Sequence, residues 1–198
     1  MFSGIIEEVG TIKSIESLSQ SKKITITCEK VLRDVSIGDS ISVNGVCLTA
    51  IRIDDREFDV DIIHETLERS NLCSLIQGAD VNLERAMTYN QRVSGHLVQG
   101  HVDTQAKVIA INKTEEWTEI DFEIEPNFKK YCISKGSIAI DGVSLTIAKI
   151  IAEGVRVALI PHTLSQTILS NYKIDQMVNI ETDMVGKFIE NFSGVMGK

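Results

Sequence analysis

Short stretches in which apolar and polar residues alternate recur along the chain, at residues 24–27, 41–43, 58–62, 118–124, 138–146 and 155–160. They are rich in Ile, Val and Thr and are separated by Gly, Asp or Asn, the pattern of half-buried β-strands joined by tight turns. Residues 53–58 (IDDREF) read as a hairpin, and 151–155 (IAEGV) as its counterpart further on. About six such strands per half predict closed barrels, because closure removes exposed sheet edges. Helical periodicity is confined to short pieces. Thr66 and Thr163 are placed to cap brief helices running toward Leu75 and Leu169, and Pro126 suits the first turn of another over 126–132. In the tail, Met184, Val185, Phe188, Ile189, Phe192 and Val195 form one apolar helical stripe.

The pattern repeats itself. Residues 41–87 match 138–184 without a gap: ISVNGVCLTA aligns with IAIDGVSLTI, VDIIHETL with VALIPHTL, and VNLERAM with VNIETDM. Three separated blocks in one register mark a tandem duplication. The chain therefore divides into an N-terminal barrel at 1–97, a C-terminal barrel at 98–186 and a tail helix at 187–198. An all-β fold of two six-stranded barrels plus that helix is the expected architecture.

Composition narrows the function. The 198 residues are 43% hydrophobic, enough for two small cores, and carry a formal charge of −8. That acidity argues against nucleic acid or an anionic membrane surface as a partner. No apolar run approaches the roughly 18 residues of a membrane span. The start, MFSGIIEEVG, lacks the basic region of a signal peptide. Cys28, Cys47, Cys73 and Cys132 form neither a CxxC pair nor a disulfide-like framework. A cytoplasmic protein with free thiols is expected. No GxGxxG, GxxxxGK[ST] or HExxH pattern is present, so nucleotide cofactors and zinc-protease chemistry have no support.

The sharpest candidate blocks are residues 44–49 (NGVCLT) and 141–146 (DGVSLT). Read blandly, they are two turn-and-strand corners with a buried Cys and a buried Ser. Their contents suggest more, since Cys47 in one copy faces Ser144 in the other and each is followed by Leu and Thr. Two similar pockets with one differing nucleophile-capable group would serve two ligands in different roles. His96 and His101, five positions apart on an assumed strand, would point to opposite faces and could not chelate one metal ion. One would be structural and the other a proton-transfer group. His64 and His162 sit beside the Thr caps, where helix N-termini offer N–H groups to oxygen-rich ligands. Lys135 stands where the first copy has Gly38, either as surface charge or as a partner for an anionic intermediate.

The blocks MFSGII, SVNGVCLT, VNLERA, SGHLVQGHVD, KGSIAIDGVSLT, IPHTL and VNIETD together resemble riboflavin synthase, in order and over nearly the whole chain. The resemblance implies a homotrimer in which each half is a Greek-key barrel binding one 6,7-dimethyl-8-ribityllumazine. Two substrates would meet between the N-terminal barrel of one subunit and the C-terminal barrel of its neighbour. One donates a four-carbon unit to the other, giving riboflavin and 5-amino-6-ribitylaminouracil without metal or organic cofactor. The family also allows an association with lumazine synthase.

Carried over by motif, Cys47, Ser42, His101, Lys135 and Ser144 become the catalytic candidates. Implied binding residues are Gly4, Ile5 and Ile6; Cys47, Leu48 and Thr49; Asp61, Ile62, Ile63, His64, Glu65 and Thr66; and Gly100, His101 and Val102. Lys135, Ser144, Leu145, Thr146, Leu159, Ile160, Pro161, His162, Thr163 and Leu164 complete that set. Departures are modest: Ser3 replaces the usual Thr but keeps a hydroxyl, and Ser94 replaces a usual Gly, adding bulk in what would be a tight strand. The rival reading from another class is a non-catalytic lumazine- or flavin-binding optical protein of the same fold. A pair of oligonucleotide-binding barrels is disfavoured by the acidity and by few aromatics (Phe 6, Tyr 3, Trp 1).

Overall fold

A computed structural model describes residues 1–196, with side chains through Ser193. Six strands build the first half: β1 (Glu8–Ser17), β2 (Ser21–Thr27), β3 (Ser40–Val43), β4 (Val46–Asp54), β5 (Glu57–Ile63) and β6 (Asp80–Arg85). They close in the order β1-β2-β5-β4-β3-β6. The second half repeats this with β7 (Thr104–Lys113), β8 (Thr118–Glu123), β9 (Ser137–Ile140), β10 (Val143–Ile150), β11 (Gly154–Leu159) and β12 (Met177–Thr182), and closes in the matching order. All strand pairs are antiparallel.

Alternation explains each core. On β4, Val46, Leu48 and Ala50 are buried while Thr49 and Ile51 face outward; on β5, Phe58, Val60 and Ile62 point in. Val143, Leu145 and Ile147 on β10, with Val155, Val157 and Leu159 on β11, do the same in the second barrel. Each Val, Leu, Ile or Phe buried in this way contributes on the order of 1.5–3 kcal/mol.

The hairpin turns at Asn44-Gly45 (φ 47° and 78°) and Asp141-Gly142 (φ 43° and 81°) are left-handed at both positions, as type I′ turns require. The alternation at 138–146 is thus two strands with a turn between them, not one. The two turn tips meet: a Cβ on Gly45 would lie 2.7 Å from the backbone N of Gly142. Around that contact the barrels exchange matched hydrogen bonds. Asn82 Nδ2 donates to the Asp141 carbonyl (2.9 Å), and Asn179 Nδ2 donates to the Asn44 carbonyl (2.7 Å). Phe2 and Val98 pair across the same approximate twofold relation.

The helices are short. α1 (His64–Arg69) and α3 (Pro161–Gln166) each run into a 3₁₀ turn, Asn71–Ser74 and Ile168–Asn171. Thr66 and Thr163 are not caps. The chain leaves β5 and β11 already extended, so the cap positions fall at Ile63 and Ile160, and both threonines lie inside the first turn. α2 (Pro126–Lys129) begins at its proline, and α4 (Met184–Met196) carries the apolar tail stripe. Val195 of that stripe lies outside the residues whose side chains are described. No helix among the described residues is long and apolar enough to cross a membrane.

Candidate active site

Each barrel wall is open at one place. The β4–β5 ladder begins at Asp54↔Glu57 and stops at Ala50↔Val60. Beyond it, Cys47, Leu48 and Thr49 pair only with β3, while Asp61, Ile62 and Ile63 pair only with β2. The second barrel has the same gap: β10 and β11 pair up to Ile147↔Val157, leaving Ser144, Leu145 and Thr146 on one side and Ala158 and Leu159 on the other. Bulges at 50/52 and 147/149 sit at the point of divergence, as bulges at barrel openings do. The result is two slots edged by strand backbone, suited to a flat heterocycle with carbonyl and ring-nitrogen groups.

The implied binding residues sort themselves onto these slots. At the first gap stand Cys47, Leu48, Thr49, Asp61, Ile62 and Ile63, followed by His64, Glu65 and Thr66 on α1. At the second stand Ser144, Leu145, Thr146 and Leu159, followed by Ile160, Pro161, His162, Thr163 and Leu164 around α3. Leu48, Ile62, Leu145 and Leu159 point into the cores, so only their backbone faces a ligand. Ile63 and its repeat counterpart Ile160 are 62% and 60% exposed at the two mouths, leaving apolar surface for something to cover.

The remaining segments cross over. Gly100 accepts the Cys47 N–H at 2.8 Å, placing Gly100, His101 and Val102 on the first barrel, where Val102 packs against the core. Gly4 accepts the Ser144 N–H at 2.7 Å, placing Gly4, Ile5 and Ile6 on the second barrel, where Ile6 joins the core. Both glycines are left-handed, and a Cβ on either would come within 2.6 Å of Cys47 Cβ or Ser144 Cβ. Only glycine fits there.

Among the catalytic candidates, Ser42 and Cys47 are cross-strand neighbours, and Gly100, bonded to the Cys47 N–H, brings the His101 backbone to the same barrel. Ser42 is buried and Cys47 half-buried. His101 follows Gly100 and is exposed. The other thiols fit chemistry less well: burial pushes Cys28 up to about 12 and Cys132 up to about 11, while Cys73 is exposed on the turn after α1. Ser144 stands at the second gap. Lys135 lies on the turn into β9 with its side chain exposed, and its backbone is left-handed (φ 67°) where Gly38 has φ 97°.

His96 and His101 do not share a strand. Residues 91–103 are irregular, turned by left-handed Gly100, so strand alternation does not apply to them. The two histidines are assigned to different barrels instead. His96 Nδ1 lies 2.7 Å from Ser144 Oγ, and burial holds its imidazole below the usual histidine range, with Asp183 pulling the other way. The ring is therefore neutral at neutral pH and able to exchange a hydrogen bond with the hydroxyl. Sequence reasoning missed this contact, and no local signal carries it. It also missed Ala158, which the repeat register pairs with Asp61. Ser94 is exposed on that irregular segment; the position without room is Gly95, whose Cβ would meet Ser144 Cβ at 2.7 Å. Ser3 does keep its hydroxyl in use, donating to Glu84 at 2.8 Å.

Among the described residues, no group of three or more His, Cys, Asp or Glu is arranged to hold a metal ion. Larger clefts, about 520 Å³ around Lys129 and Met177 and about 460 Å³ beside α4, lie away from both gaps.

The lumazine binding domain model matches this chain twice, at residues 3–86 and 99–183. The chain is 46% identical to the riboflavin synthase of Bacillus subtilis over 192 residues, covering 97% of this chain and 89% of that one. It is 42% identical to the riboflavin synthase of Mycobacterium tuberculosis over 194 residues, covering 96% of each. Among solved structures it resembles LumP complexed with 6,7-dimethyl-8-(1'-D-ribityl)lumazine (TM-score 0.83, 28% identity, 92% of this chain and 99% of that one). The riboflavin complex of LumP gives a TM-score of 0.85 at the same identity and coverage. Duplicated slots, repeated domains and full-length relatives agree, and the chain belongs to the riboflavin synthase family.

Proposed function

We propose that the chain catalyses the riboflavin synthase reaction, in which two 6,7-dimethyl-8-ribityllumazine molecules disproportionate. One transfers a four-carbon unit to the other, leaving 5-amino-6-(D-ribitylamino)uracil and forming riboflavin. The observation that carries this is the pair of matched slots in one chain, each lined by backbone and each bearing a different reactive group. A reaction between two copies of one molecule needs two similar sites, and an asymmetry that makes one donor and the other acceptor. The lumazine is electron-poor and its 7-methyl group is acidic, so the enzyme's work is positioning and proton transfer. Cys47, Ser42 and His101 serve the first site. Ser144, Thr146 and the neutral His96 serve the second.

Lys135 supports the same reading. A left-handed backbone costs a non-glycine residue on the order of 1–2 kcal/mol, and the repeat shows the relaxed alternative, Gly38. Strain kept at such a point favours a function for the side chain, here the stabilisation of an anionic intermediate on a neighbouring subunit.

The chain divides functionally at 97/98 into two binding barrels and at 186/187 into an assembly tail. α4 is held to its own barrel by Lys187–Asp103 and by Glu190 with Lys130 and Tyr131. Val185, Phe188, Ile189 and Phe192 nonetheless stay exposed. A 13-residue helix with that face uncovered calls for the same helix on neighbouring chains, which supports a trimer with active sites between subunits. Purified protein mixed with the lumazine alone should yield one riboflavin per two lumazines. Bound, unreacted chromophore would place the chain with non-catalytic lumazine-binding proteins of the same fold. Removal of residues 187–198 should give monomers that bind lumazine yet turn it over far more slowly; a fully active monomer would exclude shared sites.

A further inference from the structure

Among the buried carboxylates that stand outside every candidate set, two form a matched pair. Glu84 on β6 and Glu181 on β12 occupy matched positions, each 3% exposed. Among the described residues neither forms an ion pair, although Lys187 lies close enough to Glu181 to favour its charge; each bonds to backbone. Glu84 accepts the N–H of Ser3 (2.7 Å), the Ser3 hydroxyl (2.8 Å) and the N–H of Gly4 (2.9 Å). Glu181 accepts the N–H of Gln99 (2.7 Å), Gly100 (2.8 Å) and His101 (2.9 Å). A buried carboxylate is costly to desolvate and persists only with compensation of this kind.

What these bonds hold is displaced from where the carboxylates are. Glu84 belongs to the first barrel, but the Ser3–Gly4 segment it grips lies on Ser144 of the second. Glu181 belongs to the second barrel, but Gly100, in the segment it grips, lies on Cys47 of the first. A second attachment follows the same rule. Next to Glu84, Arg85 pairs with Glu7; next to Glu181, Thr182 donates twice to Asp103 at 2.8 Å. Each loop is thus pinned at two successive positions of one strand and presents its glycine carbonyl to the other barrel.

We propose that Glu84 and Glu181 are crossed positioning residues: each fixes the loop that completes the site of the opposite barrel. The two sites of a chain are therefore assembled jointly, and damage to one barrel's carboxylate appears first in the other barrel's site. This rests on the functional reading above only for what the sites do, not for how they are held.

The chain carries its own reporters. Cys47 lies under Gly100, Cys73 is exposed and Cys28 is buried, all three in the first barrel. Alkylation by iodoacetamide, followed peptide by peptide with mass spectrometry, reads each thiol without any substrate. An amide at 181 keeps one acceptor but turns an NH₂ toward converging donors. Glu181→Gln should raise the Cys47 rate about tenfold, the equivalent of losing a charge-assisted hydrogen bond, while Cys73 and Cys28 keep theirs. Glu84→Gln should leave Cys47 unchanged, although Glu84 sits in the same barrel and pairs with Ser42 beside Cys47. Greater Cys47 exposure in Glu84→Gln than in Glu181→Gln would overturn the crossing. So would an unchanged Cys47 in both, or exposure of Cys28 in Glu181→Gln, since the carboxylate would then support the barrel rather than the loop. Because no step needs turnover, a chain that makes no riboflavin would still decide the point.

Discussion

The two barrels share strand order, turn type, wall gap and loop anchors, yet many matched positions differ, several of them beside the slots. Cys47 faces Ser144, Ser42 faces Ala139, Gly38 faces Lys135, and Asn44 faces Asp141. All lie on or next to the β3–β4 and β9–β10 hairpins. The strands beneath them keep some inward residues, such as Val46, Leu48 and Val143, Leu145. Duplication supplied two matched slots; differences such as Ala50 against Ile147 and Phe58 against Val155 repack the cores, while those on the hairpins change the chemistry beside the slots.

The largest effect should come from exchanging the reactive group. Cys47→Ala is expected to lower riboflavin formation by orders of magnitude while leaving thermal stability and lumazine binding nearly intact; Ser144→Ala should cost less. Cys47→Ser, which makes the barrels alike, should keep part of the activity if polarity matters more than thiolate chemistry. Near wild-type turnover in the alanine variant would remove Cys47 from the mechanism.

The histidines sharpen the comparison next. His101→Gln should lose roughly 10²–10⁴-fold in turnover, the range of one acid–base group, with little change in melting temperature. His96→Gln, which breaks the contact to Ser144, should lose less turnover and more stability. Equal losses of both kinds would end this division between the sites.

The smallest effect concerns Asn44 and Asp141, and it is thermodynamic. Asp141 is fully buried, with Tyr172 donating to one oxygen and Asn71 and the Asn179 N–H to the other. Burial outweighs those donors and raises its carboxyl from 3.8 to about 7. A raised carboxyl stabilises the fold fully below about pH 4, where both states are protonated. That contribution is lost as pH climbs through about 7, by at most about 4 kcal/mol. Melting temperature followed from pH 4 to 8 should fall more steeply in the wild type than in Asp141→Asn, which copies the first repeat. Parallel curves would mean that Asp141 is charged throughout.

Much of this molecule was legible in the chain itself. Alternation with period two, Asn-Gly and Asp-Gly at the turns, and a register held over three blocks are local or self-similar signals, and they specify strands, hairpins and duplication directly. The motif blocks also named most of the residues that line the slots. What only the tertiary structure decided is non-local. The sequence places Gly4 and Gly100 near the start of each repeat, but not on the opposite barrel. It shows His96 near His101, but not against Ser144. Thr66 and Thr163 have the chemistry of caps, yet the exit direction of the preceding strand puts Ile63 and Ile160 there. Glu84 and Glu181 read as ordinary charged strand residues until two loops converge on them. Side-chain periodicity follows from the backbone repeat of a single element, whereas each of these contacts depends on how two closed barrels approach one another across the Gly45–Gly142 contact.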